Sequence, residues 1–203
     1  MSTIKLTIGD RREIERSIRK KYNRVARSPE GSFKYPTGRA GMKGLNYPPE
    51  VMDALPESVA SSYCGVGNPF SLGQIHEGES VLDIGCGGGV DTMAAGIMAG
   101  PGGNAVGIDV TPEMVDRAKA NLAHTGLTNV SFESVSAEDL PFEDSSFDVV
   151  ISNGALNLVV DKLRAYSGIF RVLKPGGRLM MVDQVLTGEL PEDREAMVKS
   201  WFK

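Results

Sequence analysis

Residues 81–91, VLDIGCGGGVD, set a carboxylate inside an apolar run and follow it at once with glycines. Gly85, Gly87, Gly88 and Gly89 let a backbone turn tightly and come within contact distance of a ligand, and a helix starting there offers it free N–H groups. The glycines alone do not name that ligand. The dinucleotide fingerprint G-x-G-x-x-G needs glycine at position 90, where this chain has Val90, so what remains is G-x-G-x-G. Asp109, closing the run VGID, stands where nucleotide and adenosyl cofactors alike need an acid to accept hydrogen bonds from two ribose hydroxyls. Asp83 separates the two readings. Two residues before the first glycine, a carboxylate is unhelpful beside a pyrophosphate but suits a cation. S-adenosylmethionine carries a sulfonium and an α-ammonium group, whose charge a buried acid offsets. An S-adenosylmethionine site is therefore expected; an NAD-dependent oxidoreductase is the alternative that Val90 and Asp83 argue against.

These residues need a scaffold, and from residue 79 the chain supplies one: short β-rich runs SVLDI, NAVGID, NVSFES, FDVVIS and GRLMMVDQV alternate with helical stretches. Thr111-Pro112-Glu113 predicts a helix start, with Thr as N-cap and Met114, Val115, Ala118 and Leu122 as the buried face. Over 161–173, Leu163, Tyr166, Phe170 and Leu173 predict another buried face, ended by Lys174-Pro175-Gly176-Gly177. Alternating β and α units imply a parallel sheet covered on both sides, with its ligand beyond the carboxyl ends of the strands. Upstream, Ile14, Ile18, Tyr22 and Val25 form a helical stripe within residues 11–27, whose basic surround reads as a solvated face. Residues 31–49 carry four glycines and three prolines without periodicity and read as a long loop that could serve as a lid. Residues 1–78 are thus expected as an N-terminal helical lid segment and 79–203 as the cofactor-binding core, together one structural domain.

Composition narrows the partners. With 22 basic and 26 acidic residues the net charge is −4, which favours a small-molecule partner over nucleic acid or an anionic membrane. The N-terminus has no apolar h-region, and no run approaches the ~18 apolar residues a membrane span requires. A soluble cytoplasmic protein is expected. Cys64 and Cys86 are too few for a disulfide framework and lack zinc-ligand spacing, so no metal is implied. His76 and His124, the only histidines, read as a surface residue and as a helix C-terminal contact, not as catalytic bases.

The segments VLDIGCGGGVD, VGIDVTPEMVDRAKANL, SAEDLPFEDSSFDVVISN and FRVLKPGGRLMMVD together resemble the motifs of class I S-adenosylmethionine-dependent methyltransferases. IRKKYNRVA, YPPEVMDALPESV, the GNP turn at 67–69 and SNGALNLV at 152–159 extend the likeness to the arsenite methyltransferase-like branch. The resemblance implies a Rossmann-like doubly wound α/β sheet. Asp83, Gly85 and Gly87 would line the methionine end, Asp109 would hold the ribose, and Val110 and Met114 would flank the adenine. Ala137 and Glu138 would lie at the adenine edge. Ser152 and Asn153 would face the transferable methyl and the acceptor, and Tyr22 and Asn68 would close the pocket from the N-terminal side.

The chain departs from that branch where arsenic would bind. The resemblance implies one thiolate in the turn before GNP and another after SN; Val66 and Gly154 stand there. Cys64 would reach inward only if its turn were rearranged, and Cys86 belongs to the glycine loop. A small-molecule acceptor other than arsenite is expected, and a catalytically inactive S-adenosylmethionine-binding partner subunit is the other alternative. The resembled class has seven strands, so a sequence offering five is expected to lack the last two. It would then be a fragment of a longer chain, or would cover the fifth strand's edge, around Leu179, Met181 and Val185, in a homodimer or with a partner chain.

Overall fold

The structure is a computed structural model that describes residues 6–185, 187–188 and 193–201. Helix α1, Ile8–Arg27, opens the described chain with a reciprocal cap: the Thr7 side chain accepts from the Asp10 N–H, and the Asp10 carboxylate accepts from the Thr7 N–H. Three short helices follow, α2 (Gly38–Gly44), α3 (Pro49–Ala54) and α4 (Glu57–Ala60). The glycine-rich stretch read as a loop is therefore helical over Gly38–Gly44 and packed, with Met42 and Tyr47 fully buried. One of its glycines, Gly41, serves close approach. A Cβ on Gly41 would stand 2.5 Å from the Pro36 carbonyl oxygen.

The core then alternates as expected: β1 (Ser80–Ile84), α5 (Val90–Ala99), β2 (Asn104–Asp109), α6 (Pro112–Leu122), β3 (Val130–Ser134), β4 (Phe147–Asn153), α7 (Lys162–Val172), β5 (Leu173–Val182) and α8 (Arg194–Ser200). All strands are parallel, in the order β3-β2-β1-β4-β5. Neighbouring residues of a strand face opposite sides, and the core divides accordingly. Val81, Val149 and Ile151 pack with α5, α6 and the N-terminal helices, while Leu82, Ile84 and Val150 pack with α7. A third, smaller cluster joins Ile14 and Ile18 of α1 to Val198 of α8. This is the Rossmann-like arrangement the sequence implied.

Three local expectations change. The buried face of α7 is Ala165, Ile169 and Val172; Leu163 is 79% and Phe170 83% exposed, so the predicted stripe faces solvent. Thr111 precedes α6 but its hydroxyl makes no cap, because its N–H is taken by the Asp109 carboxylate and its side chain is buried. The residues after β5, TGELPEDREAMVKSWFK, read from sequence as loop and helix; the structure describes 187–188 and α8 with Trp201, and residues 189–192 and 202–203 lie outside the described residues. Among the described residues β5 pairs only with β4, and no helix is long and apolar enough to cross a membrane.

Candidate functional site

Strand order reverses between β1 and β4, because the connection after β1 runs toward β2 and β3 and the later one toward β5. The gap left at their carboxyl ends is where doubly wound sheets bind ligands. A cavity of about 340 Å³ opens there.

Its floor is the glycine loop. Gly85 (φ +75°), Gly87 (φ +52°) and Gly89 (φ +82°) are left-handed, a conformation that costs other L-residues strain. Gly85 and Cys86 both donate their N–H to the Ile108 carbonyl, which ties the loop to β2. A Cβ on Gly87 would meet no atom within 4 Å, so the loop leaves a cradle that any larger residue would begin to fill. Asp109 closes the loop's far side, its carboxylate accepting from the Gly87 N–H at 3.0 Å and the Thr111 N–H at 2.8 Å. Burial raises the Asp109 carboxyl above its ordinary range, and those backbone donors oppose the rise. The Thr111 hydroxyl is buried beside it and also opposes the rise.

The other end of the cavity is acidic. Asp83 is buried and held by the Thr92 hydroxyl at 2.6 Å. Asp91, at the start of α5, accepts from the Tyr47 phenol at 2.7 Å and from the Asn153 amide at 2.9 Å. Asn153 in turn receives the Val66 and Gly67 N–H groups on its carbonyl oxygen, and the Tyr63 phenol donates to the Gly67 carbonyl. Burial pushes Asp83 well up and Asp91 up to about 6. Among the described residues the cavity wall has five carboxylates, Glu15, Asp83, Asp91, Asp109 and Glu138, against one guanidinium, Arg19. Such a wall repels a pyrophosphate and attracts a cationic ligand. The glycine cradle, the acid at the end of β2 and the acidic methionine end fit S-adenosylmethionine.

Of the residues singled out in the sequence, Tyr22, Asp83, Gly85, Gly87, Asp109, Val110, Met114, Ala137, Glu138 and Asn153 all line this cavity. Glu138 spends one carboxylate oxygen on the Val160 and Asp161 N–H groups, fixing the segment that carries Val160 at the cavity wall. Ser152 and Asn68 are not brought to the cavity. Ser152 is fully buried and donates its hydroxyl to the Ile84 carbonyl, pointing to the α7 side while Asn153 points to the other. Asn68 donates its amide to the Asn46 carbonyl and accepts from the Phe70 N–H, capping the turn Pro69–Leu72. Cys64 does lie on the cavity wall, its thiol pushed up to about 12 by burial. The sequence reading missed Asp91, Tyr35 and Tyr63. Asp91 was in the motif itself, but an acid in the first turn of a helix looks like an exposed dipole partner. Positions 66 and 154 face one another: a Cβ on Gly154 would stand 3.1 Å from a Val66 methyl.

Comparison with known proteins agrees with this geometry. The sequence profile of a family described as a methyltransferase domain matches residues 75–203. An arsenite methyltransferase of Halobacterium salinarum is 38% identical over 157 residues, 77% of this chain and 40% of that protein. A demethylmenaquinone methyltransferase of Lactococcus lactis is 41% identical over 106 residues, 52% of this chain and 42% of its own length. Among solved structures, an arsenic(III) S-adenosylmethionine methyltransferase from Chlamydomonas reinhardtii superposes with a TM-score of 0.60 at 32% identity, covering 82% of this chain and 57% of that one. The chain thus spans less than half the length of these two curated relatives.

Proposed function

The chain belongs to the S-adenosylmethionine-dependent methyltransferases, and we propose that it methylates a small-molecule acceptor that is not arsenite. The observation that carries the acceptor part is the facing pair Val66 and Gly154, aliphatic and empty of thiol where the resembled arsenite enzymes hold cysteines. Two relatives named for different acceptors, arsenite and demethylmenaquinone, support a shared cofactor half with a variable acceptor half.

S-adenosylmethionine supplies a methyl group on a sulfonium, an already activated leaving group. The residues need mainly to position the reactants and keep water out, and effective molarity then contributes ~7–11 kcal/mol of the barrier. In this reading Asp109 holds the ribose hydroxyls, Val110 and Met114 flank the adenine, and Ala137 lies at its edge. Gly85 and Gly87 let the backbone approach the methionine end. Asn153 and Gly154 border the acceptor side with Tyr35, Tyr63 and Cys64. Residues 1–78 act as the lid, a role supported by Ile18, Tyr22 and Tyr35 lining the cavity. Neither histidine is in the wall, and both are exposed. The acceptor therefore arrives as its own nucleophile: a thiolate, an enolate, an activated carbon, or a group deprotonated by solvent.

Thermal shift and calorimetry with S-adenosylhomocysteine, NAD and arsenite test the reading. Stabilisation by S-adenosylhomocysteine and none by NAD is expected, with no S-adenosylmethionine-dependent turnover of arsenite. Turnover of arsenite by the unaltered chain overturns the acceptor assignment. Restoring both thiols, Val66→Cys with Gly154→Cys, should strengthen arsenite binding by at least about tenfold, as chelation by a second ligand group does. The same variant should lose roughly 1–2 kcal/mol of stability, because Gly154 is at φ +71° and a side chain there is strained.

The side of β5 that no strand pairs with among the described residues supports a second chain, of the same or another kind, lying along Leu179, Met181 and Val185. Val185 is 81% exposed, and the α7 row Leu163 and Phe170 is exposed as well. Light scattering should report a mass above that of the monomer, and a stable monomer at all concentrations overturns this point.

A further inference from the structure

The assignment of the cofactor leaves open which group receives its positive end, and the geometry names one that motif reasoning passed over. Asp91 sits at the cavity wall, buried, with each carboxylate oxygen bonded to a neutral donor, the Tyr47 phenol and the Asn153 amide. Those donors fix the carboxylate's direction without neutralising it. Among the described residues, the ionisable groups that feel the Asp91 charge are themselves neutral or acidic: Asp83 from β1, and Tyr47, Tyr63 and Cys64 from the N-terminal segment. Arg19 lines the cavity from α1, yet it has no resolved effect on Asp91. Asp83 lines the cavity beside it, accepting from the hydroxyl of Thr92, the next residue of α5. Two buried carboxylates next to one another cannot both ionise cheaply. A buried pair with no cation of its own is a site waiting for one.

We propose that Asp91, backed by Asp83, is the carboxylate that meets the α-ammonium group of the cofactor, and that filling the site drives a proton from the pair into solvent. The proposal rests on the S-adenosylmethionine reading and extends it to a residue outside the glycine loop. It also gives the Tyr47–Asp91–Asn153 network a purpose. The same Asn153 that orients Asp91 accepts the Val66 and Gly67 N–H groups, so the residue holding the cofactor's amino acid end is fastened directly to the acceptor wall.

The sign of the pH dependence follows from proton counting. The empty pair holds a proton that the filled site does not, so affinity rises with pH until the empty pair ionises by itself. With Asp91 at about 6, the rise should fall between pH 5 and 7.

Titration calorimetry in two buffers of different ionisation enthalpy reads both quantities, using S-adenosylhomocysteine and 5′-methylthioadenosine as probes. The second probe keeps adenine and ribose but lacks the α-amino acid. Expected are net proton release with S-adenosylhomocysteine at pH 6 and none with methylthioadenosine. Asp91→Asn should weaken S-adenosylhomocysteine at least tenfold at pH 7.5, reduce the proton release, and leave methylthioadenosine within twofold; Asp91→Glu should recover part of the loss. A merely structural role for Asp91 would weaken both probes alike and overturns the proposal. So does S-adenosylhomocysteine binding that is unchanged by Asp91→Asn or releases no proton. Should neither probe bind at any pH, the cofactor assignment fails together with the proposal; methylthioadenosine binding without S-adenosylhomocysteine binding overturns the proposal alone.

Discussion

Replacing Asp109 with alanine should weaken S-adenosylhomocysteine binding by a factor of roughly 10–150, since one charge-assisted hydrogen bond contributes about 1.5–3 kcal/mol and the ribose offers two hydroxyls. The loss has a second source within the protein. Asp109 also accepts from the Gly87 and Thr111 N–H groups, so its carboxylate holds the glycine loop against the end of β2. Asp109→Asn, which keeps one carbonyl acceptor, should retain more of the loop's shape and lose less affinity than Asp109→Ala. Calorimetry on the three proteins checks this order, and equal affinity in all of them would remove Asp109 from the site.

Gly85 and Gly87 are expected to fail in different ways when replaced by alanine. A Cβ on Gly85 would lie 2.2 Å from the Ala155 Cβ, and the residue is at φ +75°. Left-handed strain of ~1–2 kcal/mol and overpacking of ~1–3 kcal/mol together predict a loss of roughly 2–5 kcal/mol for Gly85→Ala. Cofactor binding should disappear with it. Gly87→Ala carries the strain alone, because its Cβ would meet nothing within 4 Å. It should fold with a loss of only ~1–2 kcal/mol and still bind cofactor poorly, since the new methyl enters the cradle. Thermal unfolding and a ligand titration on both variants separate the two outcomes. Equal destabilisation would show that the Ala155 contact relaxes freely.

The strands were legible because each is a short apolar run bounded by glycine or polar residues, and the cofactor loop because glycine, acid and strand end coincide there. What was illegible depended on direction. Ser152 and Asn153 are adjacent on one strand, so only one of them can face the cavity, and the sequence does not say which. In α7, Leu163, Tyr166 and Phe170 make as good an apolar stripe as Ala165, Ile169 and Val172; the sheet chose the smaller side chains, whose size lets the helix approach closely. Asn68 was expected at the pocket through the family resemblance of the GNP turn, but its side chain satisfies two backbone groups. Asp91 escaped notice because its partners, Tyr47 and Asn153, are 44 and 62 residues away.

The small cluster that α1 forms with α8 has a kinetic meaning. Ile14, Ile18 and Val198 are buried apart from both faces of the sheet, and the Trp201 indole N–H ties the cluster to the Leu158 carbonyl. Beyond it, α1 meets the body through the buried Val25 and through exposed polar pairs such as Asn23 with Glu113 and Arg11 with Asp161. Since Ile18 and Tyr22 form part of the cavity wall, in the proposed lid role a molecule inside would leave as this helix swings aside, a movement that would break this cluster and leave the sheet's packing in place. Changes at Ile14 or Trp201 should therefore shorten the residence time of the spent cofactor while barely altering how the sheet folds, making α1 the element that sets the tempo of turnover.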